Sequence, residues 1–120
     1  MENINGNVVR DAEIAYRDIG GKQVAVVNFT VAENKNLPGG KTMTRYIKIA
    51  VWRKWAESLY PYLKKGKEVT VEGYLESEGW VGNDKKVHSN LIIRTPHSIK
   101  LMGKKIETNP DEDVFAGAEA

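Results

Sequence analysis

A chain of 120 residues has room for one hydrophobic core and not for two. It contains no cysteine, which excludes disulfides, thiolate nucleophiles and cysteine-based zinc sites and fits a reducing, intracellular setting. Its net charge of +2 is divided: all 18 Lys and Arg lie at or before Lys105 and five of the 16 acids follow it, leaving +7 on residues 1–105 and −5 on residues 106–120, a split that points to a body with an anionic partner.

In chain order, "INGNVV" and "AEIAYR" read as one long, Gly-interrupted first strand, and "KQVAVVNFTVAEN" as a second, with "DIGGK" turning between them. "KNLPGGK" reads as an extended mobile loop leading to a third strand, "TMTRYIKIAVW". Trp55, Ala56, Leu59 and Leu63 then recur at helical spacing before a stop at Gly66, with a break or tightened turn expected at Pro61. "KEVTVEGYLES" alternates Val69, Val71, Gly73 and Leu75 inward as a fourth strand, and "VHSNLIIR" follows as a fifth. From Ile106 on, periodicity is lost, so the expected organisation is a body over residues 1–105 and a short disordered acidic tail over residues 106–120.

Three strands, one short helix and two more strands give the order of an all-β, five-stranded OB-fold barrel with its helix between strands three and four. Such barrels hold oligonucleotides across strands two and three, flanked by two loops. The third strand breaks the usual rule for a half-buried strand. Ile47, Ile49 and Val51 form one aliphatic face, while Tyr46, Lys48 and Trp52 share the other. Unpaired bases expose flat faces on which aromatics stack without regard to sequence, and a cation between aromatics meets the intervening phosphate. Tyr46, Lys48 and Trp52 supply that alternation, Trp80 offers a further platform, and Lys35, Lys41, Lys85 and Lys86 make the flanking loops basic. An outward aromatic face is equally suited to a subunit interface. Trp55 reads instead as a lid on the barrel end, and Tyr60, Tyr62 and Tyr74 as packing or surface residues.

These segments resemble the bacterial single-stranded DNA-binding protein family, SSB, along nearly the whole body. "GNVVRDAEIAY" is similar to the family's G-N-L-x-x-D-P-E-x-R/Y segment, "VVNFTVAEN" to its second strand, and "KWAESLYPYLKKGKEVTVEGYLESEGW" to its helix, Lys-Gly turn and fourth strand. The resemblance puts Tyr46 and Trp80 at stacking tryptophan positions, Trp52 at a stacking aromatic usually seen as Phe, and Lys48 at a basic strand position. It implies sequence-independent binding and protection of single-stranded DNA in replication, recombination and repair, with no cofactor or metal. It also implies a homotetramer, with "NINGNVV" and the Val24, Val26, Asn28 and Thr30 face as candidate subunit contacts. Leu37 lies about where many members carry another stacking tryptophan, and Glu76 and Glu78 lie where members commonly carry basic residues. Asp111, Glu112, Asp113, Val114 and Phe115 resemble the acidic-hydrophobic tip that recruits replication and repair proteins, although "AGAEA" follows Phe115 here and the family's long linker is absent.

Catalysis is set aside, because His88 and His97 are the only histidines and no H-E-x-x-H, G-x-S-x-G or phosphate loop is present. An OB-fold RNA-binding or protein-interaction module remains the alternative, since stacking alone does not separate ribose from deoxyribose. With no leader-like segment after Met1 and no apolar run near the roughly 20 residues of a membrane span, the expected location is cytoplasmic and nucleoid-associated.

Overall fold

The computed structural model describes residues 1–81, 83, 85, 87–102 and 106–110. The described residues form nine strands and one α-helix: β1 (Glu2–Val8), β2 (Glu13–Ile19), β3 (Lys22–Leu37), β4 (Lys41–Trp52), α1 (Arg53–Leu59), β5 (Glu68–Gly73), β6 (Glu76–Val81), β7 (Val87–Ile93), β8 (Ser98–Leu101) and β9 (Ile106–Thr108). The expected first strand is thus two strands, β1 and β2; the fourth is β5 and β6; the fifth is β7, with β8 after it. α1 gives way to a 3₁₀ turn at Tyr60–Tyr62, where Pro61 removes a backbone donor and prevents the α-helix from continuing.

The strand order is β6-β7-β4-β3-β1-β5-β8-β9, with β2 paired to β3 off this path. The sheet is therefore open and not the closed five-stranded barrel expected, although strands, helix and connections keep the OB order. Two interruptions account for the difference. Tyr74 and Leu75 divide β5 from β6, and Arg94–His97 divide β7 from β8. Among the described residues β5 pairs with β1 and β8 while β6 pairs with β7, so the halves of each long strand end on opposite flanks of the sheet.

The sheet wraps a single core of aliphatic side chains from β1, β3, β4, β5, β7 and β8, including Ile4, Val27, Val31, Ile47, Ile49, Val71, Ile93 and Ile99. Helical spacing does what it predicts: Trp55, Ala56 and Leu59 of α1 face this core, and Leu63 follows them into it. Two glycine features matter for placing the site. Gly20 and Gly21, at φ 61° and 81°, form the two-residue turn that left-handed backbone permits, and so set β2 against β3 with Ile19 opposite Lys22 and Arg17 opposite Val24. On β1, a Cβ at Gly6 would run into the carbonyl oxygen of Ala32, so only glycine lets β1 cross β3 this closely.

Two sequence expectations are corrected. "KNLPGGK" is not an extended loop: β3 and β4 stay paired from Val26–Trp52 to Leu37–Lys41 as one long ribbon, closed by a tight turn at Pro38–Gly40. Nor is the chain without regular structure from Ile106. β9 pairs with β8, and the buried Asn109 fastens its end, its backbone N–H donating to the His97 carbonyl at 2.7 Å and its side-chain amide to the Pro96 carbonyl at 2.9 Å. Residues 111–120, and with them Asp111, Glu112, Asp113, Val114 and Phe115, lie outside the described residues.

Candidate nucleic-acid interface

From Ile47 to Val51 β4 is buried on its core side, and on its other side only towards the helix, at Ala50. Ile47, Ile49 and Val51 are at most 1% exposed, whereas Tyr46 is 60% exposed, Lys48 is exposed and Trp52 half-buried. The register sets Tyr46 beside Ala32, Lys48 beside Thr30 and Trp52 beside Val26 of β3. Paired residues share a face, so Thr30, Asn28 and Val26 lie on the same outer surface. Val24, Val26, Asn28 and Thr30, named above as subunit contacts, therefore occupy the surface that carries Tyr46, Lys48 and Trp52.

Trp52 is held where the sheet meets the helix. Val26 beside it is 1% exposed, and the Arg17 guanidinium stands 5.9 Å from its ring centroid, a cation–π geometry. The next residue, Arg53, has φ 64°, a left-handed conformation that costs roughly 1 kcal/mol outside glycine and swings the chain from β4 into α1. Tyr46 is the more open platform and Trp52 the more fixed.

Beside Lys48 runs a groove of about 460 Å³ lined by Arg10, Asp11, Glu13, Asn28, Phe29, Thr30, Lys48, Ile49 and Ile92. Arg10 and Lys48 are its cations. Asp11 is engaged elsewhere, accepting from the Lys65 backbone N–H at 2.9 Å with Lys64 Nζ 4.0 Å away.

Two other arginines near the sheet are ion-paired. Glu33 and Arg45 are cross-strand partners on the core side; Arg45 Nε donates to Glu33 Oε1 at 2.7 Å, and Arg45 Nη2 also lies 3.5 Å from Glu2. Arg94 Nε donates to Glu76 Oε2 at 2.8 Å and its Nη2 to Glu78 Oε1 at 3.0 Å. Hydrogen bonds to Glu33 raise the pKa of Arg45, and those to Glu76 and then Glu78 raise that of Arg94, so both guanidiniums stay charged at any working pH.

The remaining expected residues are not all brought to one place. Lys35 and Lys41 are exposed, but their positions opposite Met43 and Leu37 share the parity of Glu33 and Arg45, on the ribbon face away from Tyr46. Trp80 pairs with His88 in the β6–β7 register. Lys85 is exposed between those strands with φ 62°. Lys86 lies outside the described residues. Sequence reasoning missed Arg10 and Arg17, and it read Asn28 and Thr30 as subunit contacts rather than as neighbours of Lys48; the Gly20-Gly21 turn was the signal for Arg17. Among the described residues no cluster of His, Cys, Asp or Glu could hold a metal ion, and no helix is long and apolar enough to cross a membrane.

A family model described as the single-strand binding protein family matches residues 3–101. The chain belongs to the single-strand binding protein family. Among relatives, it is 33% identical over 96 residues to the single-stranded DNA-binding protein of Borreliella burgdorferi, covering 75% of this chain and 62% of the relative. It is 36% identical over 91 residues to single-stranded DNA-binding protein 3 of Listeria innocua, covering 73% and 55%, and 37% identical over 116 residues to that of Halalkalibacterium halodurans, covering 93% and 67%. The chain thus spans between half and about two-thirds of the length of these family members. A solved structure titled as the Plasmodium falciparum SSB complex with ssDNA superposes with a TM-score of 0.62 at 22% identity, covering 83% of this chain and 89% of that one, which supports the OB fold.

Proposed function

We propose that the chain binds single-stranded DNA with little sequence preference, in support of replication, recombination and repair, and that it does so on the outer face of β3 and β4. The observation that carries this reading is the alternation of exposed Tyr46, exposed Lys48 and half-buried Trp52 along one strand of a family member. Trp52 lies six residue steps along the strand from Tyr46, about 20 Å, room for bases on both rings with a phosphate at the cation between them. Arg10 joins Lys48 in the adjoining groove, and Trp80, Lys35, Lys41, Lys85 and Lys86 extend the candidate contacts. Titration with oligo-dT should quench tryptophan fluorescence and weaken steeply with salt; equal affinity for duplex at moderate salt would rule the reading out.

The assembly reading is a homotetramer, because several domains around one strand raise the effective concentration of each further contact. If the Val24–Thr30 face carries DNA, subunit contacts fall to the β1 side. A monomer mass by light scattering at micromolar concentration would contradict it. For the tail, Asp111, Glu112 and Asp113 with Val114 and Phe115 are proposed to meet the basic rim and apolar pocket of replication and repair proteins, and, by charge alone, to compete with phosphate for the body. Pro110 lines a groove of about 470 Å³ with Lys22, Arg53 and Lys54, so these acids follow directly on a residue already beside basic side chains. The cytoplasmic, nucleoid-associated location belongs to the same reading, as does action by binding without catalysis.

A further inference from the structure

We infer that Glu76 and Glu78 limit the affinity of this face by withholding Arg94 from the DNA backbone. The inference rests on the single-stranded DNA reading above and adds to it a role for three residues that the reading does not use.

Placement comes first. Lys48 of β4 is opposite Ile92 of β7, and Ile92 is opposite Glu76 of β6. Lys48, Ile92 and Glu76 therefore form one row across three strands, and two strand spacings separate lysine from glutamate, about 10 Å. Because β7 runs parallel to β4 and β6 antiparallel to β7, Glu78 lies from Glu76 in the direction that Tyr46 lies from Lys48. A strand on Tyr46 and Lys48 passes within about one Debye length of both carboxylates.

Arg94 is a cation on that flank, and it is engaged by carboxylates. Its Nε and Nη2 donate to Glu76 and Glu78 respectively, at 2.8 and 3.0 Å. The three side chains are 54–55% exposed. Exposed ion pairs of this kind add little to folding stability, so the arrangement is not explained as a fastening of β6 to β7. Its effect is electrostatic: the cluster carries a net −1 where an unengaged arginine would present +1 to the phosphates. Planar guanidinium is also the group best matched to phosphate oxygens, and here its Nε–Nη2 edge faces carboxylate.

Two accounts of the acids make different predictions. Plain repulsion makes their removal helpful whether or not Arg94 is present. Withholding makes the gain depend on Arg94, because the released guanidinium becomes an additional phosphate contact. The test compares wild type, E76Q/E78Q, R94Q and the triple variant, each titrated with oligo-dT across a salt series, with thermal unfolding of each to confirm the fold. E76Q/E78Q is expected to bind several-fold tighter at low salt, with the slope of log affinity against log salt steeper by about 0.7, the value of one single-strand phosphate contact. In the R94Q background the same two substitutions should leave the slope unchanged. Equal gains with and without Arg94, or no gain at all, overturn the inference while wild-type binding keeps the functional reading; wild type that does not bind oligo-dT overturns both.

Discussion

Replacing Tyr46 with alanine separates binding from folding more cleanly than any other substitution on the face. Tyr46 is 60% exposed, so about 80 Å² of a side chain of roughly 200 Å² is covered. Alanine keeps the backbone and Cβ share, so the substitution removes about 40 Å² of apolar burial, or about 1 kcal/mol of folding stability. A stacked base contributes about 1–3 kcal/mol, which is about 5- to 150-fold in affinity. The protein should therefore unfold cooperatively at a slightly lower temperature and bind oligo-dT at least fivefold more weakly, with an unchanged salt slope, since no charge is altered. Fluorescence titration across salt and a thermal melt measure both quantities. A folded Tyr46→Ala protein that binds oligo-dT within twofold of wild type would refute stacking on this ring.

Other substitutions divide the surface further. Trp52→Ala should weaken binding by a similar factor but lower the melting temperature more than Tyr46→Ala, because Trp52 is half-buried, is the cross-strand partner of buried Val26 and lies beneath the Arg17 guanidinium; unfolding of the domain would mark Trp52 as a core residue instead. Lys48→Ala should flatten the salt slope by about 0.7, and Lys35→Ala and Lys41→Ala by less, since the ribbon register puts them on its other face; equal effects in a salt titration would mean the DNA wraps the ribbon. Glu33→Gln should destabilise by about 1–3 kcal/mol in urea unfolding, because Arg45 then loses the nearer of its two charged partners in a part-buried site and keeps only the longer contact to Glu2, whereas Glu76→Gln on the exposed cluster should leave stability unchanged. Truncation after Pro110, which keeps β9 and Asn109 in place, should raise affinity for oligo-dT at low salt, with the gain shrinking as salt rises; no gain would make the acidic segment a bystander to binding.

The parts of the fold that were legible in the sequence are those where one side of an element meets the core. Ile47, Ile49 and Val51 alternate because the sheet interior admits no other side chains there, and that alternation forces Tyr46, Lys48 and Trp52 outward. The same holds for Trp55, Ala56 and Leu59 on the helix. What escaped notice is held by pairing without an apolar signature. The β3–β4 ribbon continues past the core on backbone ladders and polar cross-strand pairs, such as Thr44 Oγ1 with Asn34 Oδ1 at 2.7 Å, so Lys35 and Lys41 read as loop residues. β9 has three residues and is anchored by Asn109 to carbonyls from a distant turn, which leaves no periodic trace. The Arg94 pairs join residues 16 and 18 positions apart across a hairpin whose register cannot be read from composition. Sequence resemblance flagged Glu76 and Glu78 as acids in a basic place; only the geometry supplied their partner.

The most direct test of the outer β3–β4 face as the DNA site is an amide chemical-shift map of the protein titrated with a short oligo-dT. The account predicts the largest changes along Asn28–Ala32 and Tyr46–Trp52, with Arg10 and Arg17 following. Changes concentrated instead around Asn5, Thr70 and Lys100, on the β1–β5–β8 side, would contradict it.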